Sequence, residues 1–462
     1  MPEMAAIKGS HEIRWPTMPL RRVAEVRNSN VDKLSHPGEV PVRLCNYVDV
    51  YRNDLITGRI EFMRATATAE EVAKFKLRRG DVLITKDSEL WTDIGVPAIV
   101  KVEADDLVCG YHLTMLRARQ QLMWPGYLAR ALRVPEVAVQ LHLAAKGVTR
   151  FGLTQQGIKS ALVPVPPLDV QQAITRYLDH LDLRVGRAVN KKHQLVQLLD
   201  ERRRVVSQEL VTRGLQHPSE SRASGVDWLG EVPAHWDVRP AKWFYREVNE
   251  RSQRGDEQLM SVSHLTGVTP RASKNVTMFM AASYAGHKLC RPGDLVINTM
   301  WAWMGALGVA ADTGIISPAY GVYRPLPGSS LHPAYADLLL RTRPYIDEYT
   351  CRSTGIRSSR LRLYPDRFLT VPIVCPPGEE QQEIVLRVAD ATRDLNAAIA
   401  ATMREIELLQ EYRARLIADV VTGRRDVRAQ AASLPDVDPE ELDAVLAAAS
   451  TDDNDIDEDD RE

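Results

Sequence analysis

A chain of 462 residues is too long for one ordinary domain and points to two to four. Its 44 % hydrophobic and 26 % charged residues give the balance of a soluble globular protein, no apolar run nears the ~20 residues of a membrane span, and five isolated cysteines make neither a paired metal motif nor a disulfide framework. The net charge of −2 conceals an asymmetry: residues 436–462 hold 13 acidic residues and one arginine, a charge of −12, which leaves +10 on residues 1–435. A basic body suits a polyanion, because Lys and Arg displace the counterions of phosphates, although a mildly basic surface with a solubilising tail has the same composition. The N-terminal "MPEMAAIKGSHEIRW" lacks the apolar core of a signal peptide, so a reduced, cytoplasmic setting is expected.

In chain order, the first patterned segments are "KLRRGDVLI" (Lys76–Ile84), "CGYHLTMLR" (Cys109–Arg117), "WPGYLARAL" (Trp124–Leu132) and "AAKGVTRFGLTQQGI" (Ala144–Ile158). An extended "ALVPVPP" then ends at a proline pair, and a long helix is expected from Asp169, a carboxylate in the first turn that suits the helix dipole, to Gly214, a fitting C-terminal cap. The polar, turn-rich Gly214–Trp228 reads as a hinge. After it the same order returns: "KLCRPGDLVI" (Lys288–Ile297), "PAYGVYRPL" (Pro318–Leu326), "HPAYADLLL" (His332–Leu340), "RSTGIRSSRLRLYPD" (Arg352–Asp366), and a second helix that no proline or glycine interrupts from Glu379 to Thr422. At a constant offset of 210 the helical segments align without a gap, so that Pro166, Pro167, Gln171, Gln172 and Ile174 face Pro376, Pro377, Gln381, Gln382 and Ile384.

In the second helix Leu395, Ile399, Met403, Ile406, Leu409, Leu416 and Val420 recur in steps of three and four, a coiled-coil seam with Arg413 as its polar break. Leu195, Leu198 and Leu199 begin a similar stripe in the first. Each helix would run about 65–70 Å and would expose its seam alone, so the other copy is the expected partner. The fold class is α+β: two mixed α/β modules, each followed by a long helix. The corresponding division is 1–168, 169–214 (helix), 215–230 (linker), 231–376, 377–424 (helix) and 425–462, an acidic tail expected to be disordered, with Pro439–Ala449 a candidate short helix for docking a partner or for solubility.

Two variable units that each carry a "GDVLI" or "GDLVI" strand, a "KGVTRF" or "TGIRSS" turn and a "PPLDVQQ" or "PPGEEQQ" helix start resemble the specificity (HsdS) subunit of type I restriction–modification systems. The likeness covers about residues 10–424. Val170 departs from the usual Glu of the helix start, and the acidic tail lies outside the pattern. The resemblance implies a non-catalytic reader of a bipartite, asymmetric double-stranded DNA target. Each module would be a target recognition domain, and the helices an antiparallel coiled coil that fixes the spacing of the half-sites. It also implies two modification subunits that carry S-adenosylmethionine and methylate adenine N6, restriction and motor subunits, a prokaryotic cytoplasm, and no cofactor or membrane of the chain's own.

The candidate DNA contacts lie in the turn before each long helix: Lys146, Thr149 and Arg150 around Gly147, and Arg352, Thr354, Arg357, Ser358 and Arg360 around Gly355. Glycine lets backbone approach phosphate, and Arg or Lys can pair with phosphate or read guanine, although solvated turn residues would look the same. Lys86 and "NTMWAWMG" (Asn298–Gly305) are weaker candidates, with one of the alternating Trp301 and Trp303 expected in the core. Seam or partner contacts are assigned to Leu195, Leu198, Leu199, Leu395, Ile399, Ile406, Leu409 and Leu416. Gln171, Gln172, Gln381 and Gln382 are expected to bind neighbouring backbone or a partner subunit rather than DNA. Two alternatives stay open. A stand-alone methyltransferase or nuclease is disfavoured by the lack of an (N/D/S)-P-P-(Y/F/W) loop and of a phosphate-binding glycine loop. A coiled-coil scaffold without DNA binding leaves the paired basic modules unexplained.

Overall fold

The computed structural model describes residues 14–91, 93–215, 220–273, 283–357 and 360–450. The described residues form two compact units, one built from residues 14–194 together with 403–450, the other from residues 195–402. The first long helix is Leu168–Arg213 and the second Gly378–Val421, so each unit holds the first part of one helix and the last part of the other.

In the first unit a five-stranded sheet runs in the order Ala24–Asn28, Leu113–Ala118, Val82–Thr85, Pro97–Val100, Leu55–Ile56, antiparallel except at its last pair. The second unit repeats the first four places as Tyr245–Glu247, Gly321–Pro325, Leu295–Ile297 and Leu307–Val309, all antiparallel. A two-stranded ribbon leads into each helix: Thr17–Pro19 with Leu162–Pro164, and Asp237–Pro240 with Pro372–Cys375.

The repeated motifs are joints. In each Gly-Asp strand the glycine turns with φ 93° (Gly80) or 89° (Gly293), a conformation glycine adopts without a Cβ penalty. The aspartate beside it is buried, accepts a backbone N–H three residues back, and grips an arginine of the neighbouring strand with both oxygens: Asp81 with Arg117 at 2.7 Å and 2.7 Å, Asp294 with Arg324 at 3.0 Å and 2.9 Å. Paired in this way, a buried carboxylate recovers its desolvation cost.

The proline–glutamine motif is a second joint. Gln171 is fully buried; its Oε1 accepts the Trp124 N–H at 2.7 Å and its Nε2 donates to Leu122 O and Pro166 O. Gln381 does the same with the His332 N–H, Ser330 O and Pro376 O. Of the two expected roles, backbone binding is the one observed. One residue type satisfies three backbone groups where the helix begins, since an amide both donates and accepts.

A third joint ties each module to the end of the other helix. The Tyr127 hydroxyl donates to Val421 O at 3.0 Å, and the Tyr335 hydroxyl to Val211 O at 2.8 Å. The helices pack antiparallel within both units. In the first, Leu181, Val185 and Val189 share a core with Ile406, Leu416, Ile417 and Val420, and Lys192 pairs with Glu405. In the second, Val211 shares a core with Ile384 and Val388, and Arg203 donates to Asn396 at 3.1 Å. Gly214 (φ 84°) and Gly423 (φ 82°) stand just past the two helix ends as left-handed caps.

Arg413, the polar break in the seam, is the hub of a charged cluster in the first unit. It reaches Asp182 Oδ1 at 2.7 Å and Asp54 Oδ2 at 2.9 Å; Arg133 pairs with Asp54, and Arg130 with Asp179 and Asp182. Burial alone would raise the Asp54 and Asp182 carboxyls. The surrounding guanidiniums, Arg133 and Arg413 for Asp54 and Arg130 and Arg413 for Asp182, hold both below the usual carboxylate range.

Two expectations need correction. Leu195 and Leu198 are exposed, at 44 % and 63 %, so the stripe they begin is not buried in a seam there, whereas Leu199, Leu395, Ile399 and Leu409 are half-buried and Ile406 and Leu416 buried. The tail assigned as disordered over 425–462 is helical at Arg428–Ala432 and at Pro439–Ser450, the latter being the candidate short helix; residues 451–462 lie outside the described residues. The helix Pro439–Ser450 docks on its own unit. Leu442, Val445, Leu446 and Ala449 pack into the first core, Asp443 accepts from Thr57 at 2.6 Å, and Glu441 pairs with Arg187. Gly186 makes room, since a Cβ there would lie 2.6 Å from Val445 Cγ1. Four apolar positions at helical spacing outweigh the acidity of the flanking sequence.

Candidate nucleic-acid interface

In the first unit Ala145–Gly147 pairs with Phe151–Leu153, which pairs in turn with Asp87–Ser88. This small sheet brings the predicted turn, residues 148–150, beside the predicted Lys86. Gly147 sits at φ 149°, and a Cβ on it would lie 1.9 Å from Arg150 O. Only glycine closes this turn without displacing its far strand. Lys146, Thr149 and Arg150 are exposed. One Arg150 nitrogen donates to Asp87 Oδ1 at 2.7 Å; Asp87 also contacts His112 Nδ1 at 2.7 Å. Lys86 faces inward by comparison: its Nζ donates to Ser29 O at 3.2 Å and lies 4.4 Å from the Tyr111 ring centre, and burial lowers its pKa.

The second unit builds the same feature with a longer turn. Thr354 and Arg362 exchange two backbone hydrogen bonds, at 3.0 Å and 2.9 Å, and close a turn that spans 355–361. Gly355 has φ 151°, and its Cβ would lie 2.4 Å from Arg360 O. Thr354, Arg357 and Arg360 are exposed; Ser358 lies outside the described residues. Arg352 is held by its own unit, donating to Glu348 at 2.5 Å and to Thr370 at 2.7 Å. Leu363 donates its N–H to Thr299 O at 3.0 Å, which sets the "NTMWAWMG" segment beside this hairpin. Trp301 and Trp303 do not divide between core and surface. Both are half-buried and stack on each other at 6.1 Å, because Ala302–Met304 is a 3-10 turn and strand alternation does not apply.

Electrostatically the two hairpins agree. No acidic residue occurs between Glu136 and Asp169, where Lys146, Arg150 and Lys159 lie, nor between Glu348 and Asp366, where Arg352, Arg357, Arg360 and Arg362 lie. Asp87, from a neighbouring strand, is the carboxylate that reaches the first hairpin. An exposed turn with several cations and a fixed glycine backbone can bind phosphate and present a guanidinium to a base edge. Sequence reasoning missed the bracing of Arg150 by Asp87 and His112, since 63 and 38 residues separate those partners.

No family profile matches the chain. It is 26 % identical over 234 residues, 48 % of its length, to the protein named as the specificity subunit of the type I restriction enzyme MjaX from Methanocaldococcus jannaschii, of which 51 % is covered. It is 23 % identical over 127 residues to the MjaVIII specificity subunit of the same organism, covering 27 % of this chain and 28 % of that one. The chain thus spans about half the length or less of these curated relatives. A solved chain from work on complex assembly and conformational transition of the type I R-M system matches over 89 % of this chain and 98 % of its own, with TM-score 0.56 and 17 % identity. In sequence this chain is similar to type I specificity subunits, and in fold to a solved chain of a type I R-M system. The HsdS subunit of Thermoanaerobacter tengcongensis superposes less closely, with TM-score 0.39 at 18 % identity over 90 % of this chain and 99 % of that one. Among the described residues no helix is long and apolar enough to cross a membrane.

Proposed function

We propose that the chain is the non-catalytic, DNA-reading specificity subunit of a type I restriction–modification complex. Each module reads one half of a bipartite, asymmetric DNA target through its glycine hairpin, and the long helices act as the spacer. Adenine N6 methylation and cleavage belong to partner subunits: two modification subunits, which supply S-adenosylmethionine, and restriction and motor subunits. The single observation that carries this reading is the recurrence, in two modules of different sequence, of an acid-free basic hairpin closed on a glycine and succeeded by a long helix. Curated relatives named as type I specificity subunits support it.

The test is a pair of measurements. Long-read methylome sequencing of the host, with and without the gene, should show a two-part motif with a fixed gap that loses N6-methyladenine. The purified chain should bind duplex DNA with an affinity that falls as salt rises. An unchanged methylome together with salt-independent binding would leave a protein scaffold as the function.

A further inference from the structure

The hairpin tips carry a feature that phosphate binding does not use. Val148 is 92 % exposed and Ile356 is 101 % exposed. Each comes directly after the glycine whose Cβ would strike the opposite strand, so each occupies the same place in its turn. Turn tips favour Gly, Asn, Asp and Ser, and a branched aliphatic side chain gains nothing there from water. Scattered exposed apolar residues are ordinary, but the same choice at the same place in two divergent modules calls for a ligand. Lys146 and Arg150 flank the first tip and Arg357 and Arg360 the second, which favours a polyanion over an apolar protein face.

We infer that Val148 and Ile356 each make an apolar contact with a thymine 5-methyl group in the major groove of duplex DNA, an inference that rests on the DNA-reading function proposed above. The major groove admits a two-stranded ribbon, and the thymine methyl is the apolar group on its base edges. In this arrangement Lys146, Thr149, Arg357 and Arg360 set the ribbon against the backbone, while the aliphatic tip distinguishes T·A from the other pairs. The fixed glycine geometry directs the tip, so discrimination does not await a rearrangement of the turn.

The experiment starts with the full chain and a randomised duplex pool, from which the bound sequences are selected. In the selected duplex each thymine is then replaced singly by deoxyuridine, which deletes one methyl group. Wild type should lose about fourfold in affinity at one thymine of each half-site, the worth of one buried methyl. Val148→Ser should abolish that penalty in one half-site and leave the other intact, and Ile356→Ser should do the converse. Serine suits an exposed turn, so neither change threatens the fold. Deoxyuridine penalties that persist in both variants overturn the inference, as does a selected target without such a thymine. Loss of binding to the purified modification subunit, with DNA discrimination unchanged, overturns it in favour of a protein contact. A wild-type chain that selects no sequence and ignores salt brings down the DNA-reading function itself, and this inference with it.

Discussion

In the first unit the mixed module is fixed to the long helices through Arg130, Arg133 and Arg413 matched against Asp54, Asp179 and Asp182. In the second unit the positions equivalent to Arg130 and Asp182 are Leu338 and Thr392, and the core is aromatic, with Tyr245, Tyr323, Tyr335, Tyr345, Tyr349 and Phe368 buried. Common to both are the Gly-Asp turn, the buried glutamine and the tyrosine bonded to a helix-end carbonyl. The recurring parts all satisfy backbone groups, a task set by geometry, and the Gly-Asp turn adds one side-chain pair, Asp81 with Arg117 or Asp294 with Arg324. The varying part is the filling between side chains, which tolerates ionic or apolar solutions of similar volume.

Asp182→Ala should sharpen this comparison most. It leaves Arg413 with Asp54 alone and Arg130 with Asp179 alone, and should destabilise the first unit by about 3 kcal/mol, whereas Thr392→Ala at the equivalent place should cost about 1 kcal/mol. Hydrogen exchange read by mass spectrometry tracks each unit through its own peptides, and equal losses would erase the contrast. Gln171→Ala and Gln381→Ala should each cost about 2–3 kcal/mol, and the same in both units, because each strands three backbone groups; a large disparity would show that the joint is not shared. Acid should separate the units more gradually. Asp54 and Asp182 bind protons less tightly folded than unfolded, so the unfolded chain protonates first as pH drops below about 4, and the stability that the network contributes above that pH is lost as pH falls further. Exchange in the first unit should therefore rise ahead of that in the second, and Asp182→Asn should narrow the gap to the part that Asp54 contributes. The smallest effect is expected from Tyr127→Phe and Tyr335→Phe, about 1 kcal/mol each, measured in the same way.

The repeat and the two helices were legible because each depends on local pattern, the offset of 210, the proline pairs and the steps of three and four, whereas the antiparallel pairing was expected from the resemblance to type I specificity subunits. Gln171 and Gln381 were visible as repeated letters, but their three bonds were not, since the partners are backbone groups. The hairpins around Gly147 and Gly355 were legible as turns, and Lys86 and Arg352 were legible as cations. That the fold ties Lys86 to Ser29 and Arg352 to Glu348 was not, because pairing removes a charge from the surface without changing its letter. Arg413 read as a flaw in a seam because Asp54 lies 359 residues away. Leu195 and Leu198 misled because periodicity names a stripe without saying what covers it.

The seating of Pro439–Ser450 against the first helix bears on how the protein comes into being. One core joins Leu20 to Leu442, and it needs Met403 onward to close, while the second unit occupies an unbroken stretch from Leu195 to Thr402. A ribosome that emits about 5–20 residues per second therefore finishes the inner stretch first. Val185 and Val189 emerge early and stay uncovered until Ile406, Leu416 and Leu442 arrive. The end of the chain that is made first is the last to become native, and a premature stop after Thr402 would leave it without the segments that close its core.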